Sequence, residues 1–157
     1  MGNGSTPPSS SLPRRARLLG YAGLLPQAAV VALLASGSTW WRFAALSLGY
    51  AYAAIILSFL GGMWWGLAAS RPDRCPAWVW PVAVAPSLVA LATAIPWAVG
   101  AAWPGPSLAL LGVSLLLSPL VDRRLVAAGV APGWWMSLRV PLSIGLGLLT
   151  LAVAAMG

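Results

Sequence analysis

FAALSLGYAYAAIILSFLGGMWWGLAA, residues 43–69, contains no charged side chain. It exceeds the roughly 20 residues needed to cross a bilayer core of about 30 Å, so it reads as a transmembrane helix with room for tilt. The chain around it has the same character. Of its 157 residues, 60% are hydrophobic and only 7% charged, with a mean hydropathy of +0.86. A soluble domain carries about a quarter charged residues, so the composition is that of an integral membrane protein.

Four further apolar segments flank the first. Residues 18–35 are interrupted by Pro26 and Gln27, and residues 77–99 contain Pro81, Pro86 and Pro96. Residues 103–121 open on Pro104 and Pro106, and residues 137–156 close the chain. Interior prolines damage a soluble helix, but neighbouring helices re-satisfy the freed carbonyls inside a membrane bundle. The expected fold is all-α: a polytopic bundle of five transmembrane helices occupying residues 14–157. The polar Pro/Ser/Gly-rich tail, residues 1–13, reads as disordered. A cleaved signal peptide is the weaker reading of residues 18–35, because the apolar run is long for that role and bears Gln27.

The charges are few and one-sided. There are nine Arg, no Lys, Glu or His, and only Asp73 and Asp122 as acids, for a net charge of +7. Arg14, Arg15, Arg17, Arg71, Arg74, Arg123 and Arg124 fall on one side of the predicted bundle, with Arg139 at the start of the last span; Arg42 alone falls on the other. The positive-inside rule then places the N-terminus in the cytoplasm and the C-terminus outside. This reads as a topology signal toward an anionic leaflet, with no nucleic-acid surface. Exclusive use of Arg over Lys, with abundant Ala, Gly and Leu, suits a GC-rich bacterial genome and hence the bacterial inner membrane, or the mitochondrial inner membrane if the source is eukaryotic. The single Cys75 excludes an internal disulfide.

All ten tryptophans fall near segment ends, as expected of an interfacial aromatic belt. Trp64 and Trp65 lie deepest. Beside them Ala54, Ser58, Gly62, Gly66 and Ser70 recur every four residues, a small-residue stripe that permits close helix approach in lipid, within the bundle or across a dimer. The stripe marks the second span as the central packing element.

Chemistry is harder to find. Apart from Arg139, no Asp, Glu, Lys, Arg or His falls within the five segments, and Gln27 is their only amide. Asp122 reads as a local loop ion pair with Arg123 and Arg124, and Asp73 likewise with Arg71 and Arg74. Without His and with one Cys there is no catalytic triad and no metal cluster, so neither an enzyme nor a cofactor is expected.

LLGYAGLLP (residues 18–26), YAYAAIILSFLGGMWWGLA (50–68), APSLVAL (85–91) and DRRLVAAGVAPGWWMSLRVPLS (122–143) resemble an uncharacterised bacterial domain-of-unknown-function membrane family that includes mitochondrial transmembrane protein 69. The most specific parts are ILSFLGG-x-x-WG and the closing P-x-W-x-x-x-LR. The resemblance implies five membrane helices with no assigned activity. Trp64 departs from the pattern, which often has His or another polar residue there, so a role resting on an imidazole would not transfer.

Two functions fit these observations. The leading expectation is a non-catalytic inner-membrane protein, an accessory or assembly factor whose partners are the lipid bilayer, other membrane subunits or a second copy. The alternative is binding or translocation of a flat porphyrin- or quinone-like ligand in a pocket of Trp64, Trp65, Trp134, Trp135 and Arg139. There the guanidinium would meet an anionic or carbonyl group while the indoles stack on the ring. The general layout resembles that of the tryptophan-rich sensory proteins, which bind porphyrins, although their motifs are absent.

Overall fold

The computed structural model describes residues 14–157; the tail expected over residues 1–13 lies outside the described residues. The described chain is helical, with five stretches long and apolar enough to span a membrane. The first is broken into α1 (Arg14–Ala22) and α2 (Leu25–Ala35). The others are α3 (Thr39–Ser70), α4 (Val79–Ala98), α5 (Gly105–Ala127) and α6 (Trp135–Met156).

Pro26 explains the break. It sits in the first turn of α2, where its missing N–H costs nothing, and its ring disfavours helical backbone just before it. The chain turns at Gly23, whose carbonyl accepts the Tyr52 hydroxyl of α3 instead of continuing the helix. Gln27 follows, fully buried, and its Nε2 donates to Thr150 Oγ1 of α6 at 3.2 Å. The amide thus ties α2 to α6.

The central helices pack through faces of regular spacing. Buried positions step by three and four residues along α3 (Leu46, Tyr50, Ala53, Leu57, Leu60, Trp64), α5 (Leu108, Leu111, Leu115, Ser118, Asp122, Leu125) and α6 (Arg139, Ser143, Leu146, Thr150, Val153). That alternation keeps one seam facing its partners along the whole helix. α3 touches α2, α4, α5 and α6, and α6 touches α1, α2, α3 and α5, so these two helices share the centre of the bundle. Phe43, Leu48, Ile55, Phe59, Leu91, Leu117 and Leu148 point outward and are exposed, as a lipid-facing surface requires.

The stripe Ala54–Ser58–Gly62–Gly66–Ser70 is not that seam. A Cβ added at Gly62 or Gly66 would meet nothing within 4 Å. The close approach is one residue earlier, about 100° around the helix, where a Cβ on Gly61 would run into the Ala83 carbonyl and the Pro86 ring of α4. A second lies between α5 and α6, where Cβ atoms on Gly112 and Gly147 would stand 3.2 and 3.1 Å from each other's carbonyl oxygens. The physical reason is the company each face keeps. Leu57, Leu60 and Trp64 demand burial, and turning them inward leaves Gly62 and Gly66 outside.

α5 also runs six residues past the expected end of its segment, to Ala127. This extension carries the chain's second acid into the bundle. Two arginines mark opposite ends. Arg71 Nη1 donates to the Gly129 carbonyl beyond α5 at 2.7 Å, whereas Arg42 Nη2 donates to the Met156 carbonyl closing α6 at 2.6 Å.

Candidate functional site

Asp122 is one helical turn inside α5 and has no exposed surface. It makes no ion pair with Arg123 or Arg124, which are exposed, and Asp73 makes none with Arg71 or Arg74. Among the described residues the one salt bridge joins Asp122 to Arg139. The loop pairs expected from sequence are therefore corrected. The seam of α5 continues past the end of the expected apolar segment at Val121 and turns Asp122 inward, while Arg123 and Arg124 follow outside.

Three donors converge on this carboxylate. Arg139 Nε reaches Oδ2 at 2.8 Å. The indole N–H groups of Trp64 and Trp135 reach Oδ1 at 2.9 and 2.8 Å. Arg139 Nη2 donates to Ser118 Oγ at 3.2 Å, and Ser118 Oγ lies 3.1 Å from Ser143 Oγ. The 2.8 and 2.9 Å contacts to Asp122 have the length of charge-assisted hydrogen bonds, the kind that offset the cost of taking an ion pair out of water. The network joins α3, α5 and α6 at the arginine-rich end.

Beside it lies an open cleft of about 350 Å³ between α1, α3 and α6. Its walls are apolar, including Leu19, Leu24, Phe59, Met63, Leu138 and Leu142, and Trp134, Trp135, Arg139 and Ser143 supply its polar groups. Leu19 and Phe59 on the wall are themselves exposed, so the mouth opens on the outer surface of the bundle. α1 buries no residue of its own and closes one wall; its near contact is α6, where Gly20 fits against Leu138 and Leu142.

Of the five ligand candidates, Trp134, Trp135 and Arg139 stand on this cleft. Trp64 does not; it lies behind Arg139, 3% exposed, with its N–H committed to Asp122. Trp65 faces the other way, half exposed, its ring edge-on to Trp80 at 4.9 Å. The Trp134 and Trp135 rings are 5.9 Å apart and inclined by 51°. Sandwiching a flat molecule takes roughly 7 Å between parallel planes, two contact distances, so the pair forms no slot. Sequence reasoning missed Asp122, Ser118 and Ser143 as participants, although the three-and-four spacing of α5 and α6 contains all three.

Arg139 completes the geometry. Its Nε–Nη2 edge is taken by Asp122 and Ser118. Its Nη1 has no partner among the described residues, and the side chain is more than nine-tenths buried on the cleft wall. The arrangement can hold a hydrophobic body and offer it a hydrogen-bond donor. No group of three His, Cys, Asp or Glu residues gathers among the described residues.

No curated protein and no solved structure matches the chain at a significant level. Residues 12–155 match the family described as "Protein of unknown function (DUF3429)", and the chain, a five-helix membrane protein by its fold, belongs to that family.

Proposed function

We propose that the protein binds a hydrophobic molecule in the α1–α3–α6 cleft, without catalysing a reaction on it. One observation carries this reading: an apolar cleft open on the bundle's outer surface has a buried arginine on its wall, with one nitrogen unpartnered among the described residues. Its volume falls at the small end of ligand pockets, which are mostly apolar with a few placed polar groups. Protein extracted in mild detergent should carry a hydrophobic small molecule at near-equimolar amount, detected by mass spectrometry. Leu138→Phe and Ala16→Phe, which fill the cleft, should each lose it. Recovery of nothing beyond bulk lipid, in the same proportions as the surrounding membrane, would overturn the proposal.

A second reading, an accessory or assembly subunit, is favoured by the exposed face of α3, where Gly62 and Gly66 have open space above them. A neighbouring helix could come closer there than at any side chain of ordinary size. A partner subunit should then co-purify stoichiometrically and be lost in Gly62→Leu/Gly66→Leu without a change in thermal stability.

For either reading, the proposed setting is the bacterial inner membrane with the arginine-rich end in the cytoplasm. Cys75, a free thiol just beyond α3, should then react with an impermeant maleimide only after cells are broken. Labelling in intact cells would reverse the orientation.

A further inference from the structure

We infer that the cleft selects a ligand bearing a neutral carbonyl-type acceptor, such as an alkylated quinone or the ester of a bilayer lipid, over an anionic one. The inference rests on the binding role proposed above and names the ligand's chemistry. Asp122 has already neutralised Arg139, and both carboxylate oxygens are filled by Arg139, Trp64 and Trp135. What remains for a ligand is the Nη1 side of the guanidinium, which can only donate. An acceptor is therefore required. A second carboxylate would lose its hydration in an apolar cleft beside a charge already paired, at a cost that a neutral carbonyl does not incur. The arginines flanking Ala16 on α1 are exposed and do not line the cleft. The apolar wall reaching Leu19 and Phe59 gives an alkyl tail a path outward.

Three probes with the same decyl tail separate these chemistries: a benzoquinone, an unsubstituted phenyl ring and a carboxylate. Each is titrated by equilibrium dialysis against the full-length protein in nanodiscs of ether-linked zwitterionic lipid, which has no ester carbonyl. The quinone should bind saturably and at least about tenfold more tightly than the phenyl probe, the effect of one hydrogen bond to a charged donor. The carboxylate should bind no better than the phenyl probe. Arg139→Lys, which keeps the charge but loses Nη1, should bring quinone binding to the phenyl level. Leu138→Phe, which leaves the ion pair intact, should abolish saturable binding of all three. Repeating the titration in ester-linked lipid tells the two carbonyl sources apart. Weakened quinone binding there identifies lipid esters as competing occupants, and unchanged binding identifies a quinone-like ring as preferred; both outcomes support the acceptor rule. Equal binding of the three probes, or preference for the carboxylate, overturns this inference and leaves the cleft as a binding site. Absence of saturable binding by any probe defeats the binding role itself.

Discussion

Tryptophan is used in opposite ways at the two ends of the bundle. At the arginine-rich end, Trp64 and Trp135 act as donors, both indole N–H groups ending on the one buried carboxylate. At the other end Trp103 acts as volume. Its ring meets Phe43, Tyr50 and Trp97 at centroid distances of 6.3, 5.6 and 5.8 Å, and its Nε1 is buried without a partner among the described residues. The polar groups nearby are small: Tyr50 Oη lies 3.1 Å from Thr93 Oγ1, and Ser107 Oγ donates to the Thr93 carbonyl at 2.7 Å. One end is thus held by charge with strict positional demands, and the other by ring packing and small hydroxyl bonds. The cleft sits at the end where a charge network leaves a donor over.

The largest test of that contrast is Asp122→Ala. It strands Arg139 and two indole N–H groups in the interior and should cost about 3–5 kcal/mol of unfolding free energy, measured by denaturant titration in micelles. Replacing both members of the pair by leucine should recover more than half of that loss, because a buried ion pair is often no better than apolar packing. A loss below about 1 kcal/mol for Asp122→Ala would mean the network adds little. Next in size is the pair of indole substitutions. Trp64→Phe removes a hydrogen bond to a charged group and should cost about 1.5–3 kcal/mol. Trp103→Phe loses ring volume but no such bond and should cost less than Trp64→Phe; equal costs would erase the distinction between the ends. Gly61→Ala should destabilise by about 1–3 kcal/mol as α4 is pushed away, while Gly62→Ala next to it should fall within about 0.5 kcal/mol of the parent. Tyr50→Phe should cost near 1 kcal/mol; a much larger value would show that the packed end also depends on polar bonding.

The number of helices was legible because each span is an uninterrupted or nearly uninterrupted apolar run, a property of local composition. Hydropathy ends the fourth run at Val121, which hid Asp122. The helix continues because its seam, not its mean polarity, decides how far it packs, and Leu125 is the next buried position on it. The same phase separates Trp64 from Trp65: steps of three and four from Leu46 arrive at the former and miss the latter. A stripe of small residues suggested close packing, yet small faces attract a neighbour only after the large side chains have chosen theirs. The cleft had no local signature. It arises from where the break at Gly23 leaves α1 relative to α6, a relation between segments that no run of residues contains.

The pairing of Asp122 on α5 with Arg139 on α6 also bears on how the chain is held in the membrane. Either helix released alone into lipid would leave its inward-facing charge, Asp122 or Arg139, without its partner, a penalty of up to about 2.5–3.5 kcal/mol at mid-bilayer and less near a span's end. Released together, they cancel it. The loop between α5 and α6 is short, and Gly112 and Gly147 bring their backbones close. The last two spans are therefore cheaper to hold in lipid as a paired hairpin than as two separate helices.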